Sequence, residues 1–314
     1  MDVYIFNGSE DLVTLTNGVA LITSGVQIPL MGIEEGVKGR IFTFDFKSPA
    51  DGATEVTIKG DLDRDTFSPL GITAYEQRAT ETVTVFVINR KKGEPTVEVF
   101  DFKQEQKLLT HKKTIKSNNI YTPNNIAATG PDTFYLTNDG YSDWVPIRIV
   151  EFLLLIPSGR VVYYDGTEAR AVTGGLHTPN GVALSHTRKH LYVASIIDQG
   201  VDVYEIQQDA SLALVKSIHL ATAVDNLTVD PDTGDIWAAC QFNLLVGASQ
   251  EGRAKGSAQV LRIALDKELN TNIREVLMDD GDLLRGSSVA SLYKRRLLVG
   301  SVMDNLLFCE IQAY

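Results

Sequence analysis

Short runs of alternating apolar and polar residues follow one another along the chain, separated by clusters of Gly, Pro, Asn, Asp and Ser. TVTVFVINR (82–90) is followed by TVEVFDF (96–102), and KHLYVASIID (189–198) by GVDVYEIQQ (200–208). DNLTVD and IWAACQF flank PDTGD (231–235), a hairpin loop of residues that accept turn geometry. This period of two predicts half-buried β-strands in hairpins and meanders. Six segments also rhyme: GSEDLVTL (8–15), SPLGITAY (68–75), TPNNIAAT (122–129), TPNGVALS (178–185), AVDNLTVD (223–230) and RGSSVASL (285–292). Successive copies begin 60, 54, 56, 45 and 62 residues apart, the period of four-stranded propeller blades. The pattern predicts an all-β, six-bladed β-propeller that uses residues 1–314 as one domain.

One stretch breaks the alternation. Over 142–158 the spacing predicts a short helix capped by Ser142 or Asp143, with Trp144, Ile147, Val150, Phe152, Leu154 and Leu155 on its apolar face. It lies between blades three and four, just beyond Asn138-Asp139. Its stripe reads either as core packing or as a lid lining an apolar substrate pocket. A second helical or irregular insert is expected at 242–258.

In a propeller the first strand of each blade starts at the central axis, so one register of the repeat converges there. The third positions are Glu10, Leu70, Asn124, Asn180, Asp225 and Ser287; the fourth are Asp11, Gly71, Asn125, Gly181, Asn226 and Ser288. Two carboxylates (Glu10, Asp225) and three carboxamides (Asn124, Asn180, Asn226) make a hard-cation ring. Ca²⁺ takes six to eight oxygens, mixing carboxylate, carbonyl and water, whereas Mg²⁺ keeps several waters. With no Cys or paired His at this register, Zn²⁺, Cu²⁺ and haem are disfavoured. The same Asn and Asp residues would also serve as ordinary strand-starting turn residues.

Charge and hydropathy narrow the function classes. The chain has 29 basic and 40 acidic residues, a net charge of −11, and no basic patch on any blade. That argues against nucleic acid or an anionic membrane and leaves a small-molecule substrate as the expected partner. No apolar run is long enough for a transmembrane helix. The N-terminus has neither a basic n-region nor an apolar h-region, so the expected location is cytoplasmic, or secreted with a leader removed. Cys240 and Cys309 read as two free thiols or as one disulfide. Oligomeric state is not legible.

The chain resembles the paraoxonase/arylesterase family of six-bladed propeller lactonases. The matching stretches run in the family's order: GSEDLVTLTNGVALITSG, SPLGITAY, VINRKKGEPTVEVF, NNIAATGPDTFYLTNDGY, TPNGVALS, HLYVASI, VDNLTVDPDTGDIWAAC and VASLYKRRLLVGSVMDNLLFCEI. The resemblance implies two calcium ions in the channel. A catalytic one would fall to Glu10, Asn124, Asn180, Asp225 and Asn226, and a structural one to Asp11, the backbone carbonyl of Ile72, and Asn125.

Departures from the family pattern matter as much. Asn125 stands where the family has a carboxylate, so a second ion should bind more weakly or yield its place to water or a weaker cation. Leu70 and Arg90 occupy the positions of the family's active-site histidine pair and become pocket candidates, together with Trp144. Cys309 matches the C-terminal half of the family's disulfide, but nothing precedes Glu10 to meet it, so closure is expected to rest on strand pairing unless an N-terminal segment is missing. Asn7 and Asn226 lie in glycosylation sequons, and Asn226 reads better as a buried ligand.

Without the histidines, calcium would polarise a carbonyl and stabilise the oxyanion, assisted by Asn124 and Asn180 amides. The base falls to Glu10 or Asp225, or to His177, which otherwise reads as a surface-loop residue. His111, His186, His190 and His219 are expected to face solvent. Arg90 would either bind an acidic group of the substrate or product or pair with an acid to seal the blade. Three classes stay open: a calcium-dependent hydrolase of a lactone or ester of an apolar molecule; a calcium-dependent cyclase, isomerase or lyase, favoured by loss of the histidine pair; and a non-enzymatic propeller with structural calcium.

Overall fold

In the computed structural model, residues 2–3, 8–26, 37–77, 82–241 and 256–311 are described. They form a six-bladed β-propeller in which each rhyming segment supplies the innermost strand of one sheet. These inner strands are Leu12–Thr14, Pro69–Glu76, Pro123–Ala128, Pro179–Leu184, Ala223–Val229 and Val289–Tyr293. From each, the sheet runs outward by antiparallel hairpins in sequence order. The PDTGD loop joins Ala223–Val229 to Ile236–Gln241 as a tight turn, with Gly234 at φ +79° donating its N–H to the Asp230 carbonyl at 2.8 Å.

Blade two departs from the four-stranded expectation. Thr57–Lys59 adds a fifth strand, parallel to the outer strand Leu108–Ile115. Blade six is completed by the chain's start, since Asp2–Val3 pairs antiparallel with Leu306–Glu310. The ring is thus closed by strand pairing, and Cys240 and Cys309 are both free thiols.

Each blade packs against two neighbours, so strands are buried on both faces near the axis; all six residues of Val19–Ser24 are buried. Between blades two and three, Leu70, Phe86, Ile88 and Val99 meet Ile126, Phe134, Leu136 and Val162, with the Phe86 and Phe134 rings 5.5 Å apart. Burying such a side chain contributes about 1.5–3 kcal/mol, and this apolar wall holds the inner strands in place.

The helix α1 spans Val145–Leu153. Trp144 takes the N-cap position without a side-chain cap bond, in place of Ser142 or Asp143. Ser142 Oγ accepts the Trp144 N–H at 3.1 Å, and Asp143 is drawn to Arg90. The apolar stripe is not core: Trp144 is 65% and Leu154 68% exposed, and Val150, Phe152 and Leu155 are also exposed. The polar face is the anchored one. Arg148 donates to the Asp139 carbonyl at 3.0 Å, and the buried Glu151 accepts from Tyr141 N–H at 2.7 Å and Ser158 Oγ at 2.5 Å. The expected insert at 242–258 lies outside the described residues up to 255, and its last residue begins the strand Ala258–Leu265. Asn7 also lies outside them.

Candidate active site

A repeated irregularity of pairing aims the site residues. In four blades the register of inner strand and neighbour slips at one place: Pro69/Ile72, Pro123/Ile126, Pro179/Val182 and Val224/Leu227. Each slip spans the third and fourth positions of the repeat. A β-bulge bends the strand and re-aims side chains there. In blades one and six the equivalent pairs, Glu10-Asp11 and Ser287-Ser288, immediately precede the strand. Two glycines let neighbouring blades approach. A Cβ on Gly71 would lie 2.7 Å from the Asn124 carbonyl oxygen, and one on Gly181 2.6 Å from that of Asp225.

These residues meet although they come from different blades. Asn226 Nδ2 donates to Glu10 Oε1 at 3.0 Å and to the Glu10 carbonyl at 3.2 Å. Asn125 Nδ2 donates to Asp11 Oδ2 at 2.9 Å and Asn226 Oδ1 at 2.6 Å. Asp225 accepts from Gln241 Nε2 at 3.1 Å and from the Asn180 side chain. Asn124 Nδ2 donates to Asp139 Oδ2 at 3.3 Å.

The two levels of the ring differ in hydrogen bonding. At the third-position level Glu10 Oε2, Asn124 Oδ1 and Asn180 Oδ1 are buried and have no partner. An unsatisfied buried acceptor costs about 1–3 kcal/mol, so three at one register of blades one, three and four fit a cation. Glu10, Asn124, Asn180 and Asp225 are the residues that would hold it. Asn226, expected as a ligand, is used as a brace between Glu10 and Asn125. At the fourth-position level nothing is missing. Asp11 Oδ1 accepts Leu12 N–H at 2.8 Å, and Oδ2 accepts Ile72 N–H at 2.8 Å besides Asn125. Ile72, expected to offer its carbonyl to an inner ion, donates its N–H to Asp11.

Charge in the ring is strongly frustrated. Burial, then the charges of Asp11 and Asp225, raise the Glu10 carboxyl well above its ordinary range against the Asn226 hydrogen bond and Arg90. Burial pushes Asp11 up to about 7 despite its three N–H donors. Burial and the Asp11 charge likewise push Asp225 up to about 7. Among the described residues no three His, Cys, Asp or Glu side chains gather as a metal cluster, so any cation here leans on carboxamide oxygens.

The pocket candidates fare differently. Leu70 is 1% exposed and belongs to the apolar wall between blades two and three, not to a pocket. Arg90 pairs with Asp139 and Asp143, which is the blade-sealing alternative. Burial opposes the Arg90 charge, but the two carboxylates overcome it and hold its pKa above the ordinary value. Trp144 is exposed at the helix start. His177 is half-buried, its Nδ1 3.0 Å from Asp198 Oδ1, and no hydrogen bond links it to the ring. His111 does not face solvent: its side chain is 8% exposed and its Nε2 lies 2.8 Å from Glu98 Oε2. Asp139 and Gln241, which position Asn124 and Asp225, escape a reading confined to inner strands. The cross-strand register would have found Asp139, since Asn138 lies opposite Pro123.

The arylesterase family model matches residues 3–311. The chain belongs to the arylesterase family. Membership makes it a hydrolase of esters or lactones by class. It is 36% identical over 308 residues to serum paraoxonase/arylesterase 2 of Gallus gallus, covering 98% of this chain and 87% of that one. It is 34% identical to human serum paraoxonase/arylesterase 1, with the same coverage, and 34% identical to rabbit (Oryctolagus cuniculus) serum paraoxonase/lactonase 3, covering 97% and 86%. Among solved structures, a luciferin-regenerating enzyme superposes with TM-score 0.59 at 10% identity over 98% of this chain and 91% of that one. The periplasmic gluconolactonase of Pseudomonas aeruginosa superposes with TM-score 0.55 at 11% identity over 96% and 85%. At such identities these two speak to the fold alone.

Proposed function

We propose that this arylesterase-family protein is a calcium-dependent hydrolase of lactones or esters of apolar small molecules, acting at the axial ring. The observation that carries the reading is the set of three unpartnered, buried oxygens on Glu10, Asn124 and Asn180 beside the Asp225 carboxylate. Hard oxygen donors of mixed charge suit calcium. When bound, calcium supplies polarisation of the substrate carbonyl and charge to stabilise the oxyanion.

The chain's own residues then have separate tasks. Asn124 is oriented by Asp139, and Asn180 by Asp225, so both carboxamides present their oxygens from fixed positions. Gln241 orients Asp225 through Oδ2, and Asn226 steadies Glu10 through Oε1. One of these two carboxylates takes the proton of the attacking water, since the histidine pair is replaced by a core leucine and a paired arginine. His177, engaged with Asp198, is assigned no proton transfer.

The test is a panel of aliphatic and aromatic lactones and aryl esters assayed after exhaustive chelation and after calcium addition. Turnover restored by calcium, with one oxygen from labelled water in the product, supports the reading. Calcium-independent turnover sinks it. A calcium-dependent product without solvent oxygen points instead to cyclisation, isomerisation or elimination.

A further inference from the structure

The fourth-position level of the ring is built as a closed hydrogen-bond network, and its centre is a carboxamide. Asn125 Oδ1 accepts Ile126 N–H at 2.9 Å and Val182 N–H at 3.3 Å. Those two backbone donors fix the orientation of the amide, because a flipped group would set its NH₂ against N–H groups. Both hydrogens of Nδ2 therefore point toward Asp11 Oδ2 and Asn226 Oδ1. Through one side chain, blade three is tied to blades one, four and five. Ile72 N–H brings in blade two by donating to the same Asp11 oxygen. Asn125 is 3% exposed and Asp11 3%, and neither side chain is left with an unpartnered polar atom.

A cation beside Asp11 would have to displace these donors. The oxygen it would use already accepts two N–H groups, and the nearest neighbouring group is an NH₂, which repels a metal. We infer that the Asn125 carboxamide takes the place of the inner structural cation, so that this chain holds its blades together there without metal and binds no calcium beside Asp11. The inference rests on the reading above only for the outer ion; the inner level stands on its own hydrogen bonds. A carboxylate at position 125 would reverse the arrangement. Its oxygens would face Asp11 and Asn226 with no hydrogens to donate, and the two acids would need a cation, or a shared proton, to reconcile them.

The experiment counts calcium bound at saturation by equilibrium dialysis with elemental analysis, on the wild-type chain and on Asn125→Asp. The expected counts are one for the wild type and two for the variant. The variant should also lose more melting temperature than the wild type on chelation. A count of zero in the wild type and one in the variant sinks the function proposed above yet supports this inference, because the gain of one ion remains. Equal counts in the two proteins, or two ions in the wild type, overturn it. Should Asn125→Asp not fold, the wild-type count decides: two overturns the inference, one or none supports it.

Discussion

Arg90 grips Asp139 with both prongs of its guanidinium, Nη1 to Oδ2 at 2.7 Å and Nη2 to Oδ1 at 3.2 Å. The pair sits where blade two meets blade three, and its side chains are 14% and 6% exposed. Asp139 is also held by Arg148 of α1, Nη2 to Oδ1 at 3.3 Å, and in turn orients Asn124. One carboxylate thus connects the helix insert to the candidate metal ring. Burial works against its charge, but Arg90 and Arg148 prevail and keep it below the usual carboxylate range. Removing a partner from a buried pair costs about 3–5 kcal/mol, and Arg148 keeps the loss near the lower end. Arg90→Leu should therefore lower unfolding free energy by about 3 kcal/mol in denaturant titration. Arg90→Lys should recover only part of this, since an ammonium lacks the two-pronged fit. A change within about 0.5 kcal/mol for Arg90→Leu would mean that the pair does not hold the blades.

The ring and the apolar wall should respond differently to truncation. Asn180→Ala and Asp225→Ala remove an unpartnered oxygen and the Gln241-oriented carboxylate, and are expected to lower kcat/KM by about 10²-fold or more. Leu70→Ala leaves a core cavity and should cost about 2–5 kcal/mol of stability while much of the turnover survives. Steady-state kinetics beside melting curves separates the two. Activity lost with Leu70→Ala but kept with Asp225→Ala would refute the assignment.

Much of this was legible because position and phase repeat. Glu10, Asn124, Asn180 and Asp225 share one register of six rhyming segments, and that register alone predicted their convergence. What escaped depends on relations between strands. The bulges at Pro69/Ile72, Pro123/Ile126, Pro179/Val182 and Val224/Leu227 are properties of pairing and leave no composition signal. Thr57–Lys59 is too short to announce a fifth strand. Periodicity located α1 to within a few residues but not which face is anchored. That face was decided by Arg148 and Glu151 finding partners in Asp139, Tyr141 and Ser158. Asn125 could be read as a lost charge, but its role as a donor depends on Ile126 and Val182 fixing its amide.

The exposed stripe of α1 gives a direct check on its packing. Leu153 is 72% and Leu154 68% exposed, so Leu153→Lys with Leu154→Lys should change stability by less than about 0.5 kcal/mol per site. Glu151→Ala, on the buried face, should cost more, about 1–3 kcal/mol, by stranding the Tyr141 N–H and Ser158 hydroxyl. Differential scanning fluorimetry on the three proteins suffices. The reverse order would restore the reading of this stripe as core.

Blade two carries another buried acid, whose pH response should oppose that of the metal-free ring. Glu98 is 2% exposed and accepts from Thr96 Oγ1 at 2.6 Å, Thr114 Oγ1 at 2.6 Å and Asn89 Nδ2 at 3.3 Å, with His111 Nε2 at 2.8 Å. Burial disfavours its charge, but the hydrogen bonds from Thr114, Thr96, His111 and Asn89 outweigh it and leave the carboxyl below its ordinary pKa. A carboxylate depressed in the folded state binds its proton less readily there than in the unfolded chain. Its contribution is therefore fully present above the unfolded pKa of about 4.3 and disappears as pH falls through the folded value. Hydrogen bonds to a charged group are worth about 1.5–3 kcal/mol, so Glu98→Gln should destabilise by roughly that much at pH 7. The gap between wild type and variant should then narrow in acid, below about pH 4. Taking the difference between two proteins that share the ring cancels the titration of Glu10, Asp11 and Asp225. A gap that is constant from pH 7 into acid, or that widens there, would show that Glu98 is not held as an anion by these four donors.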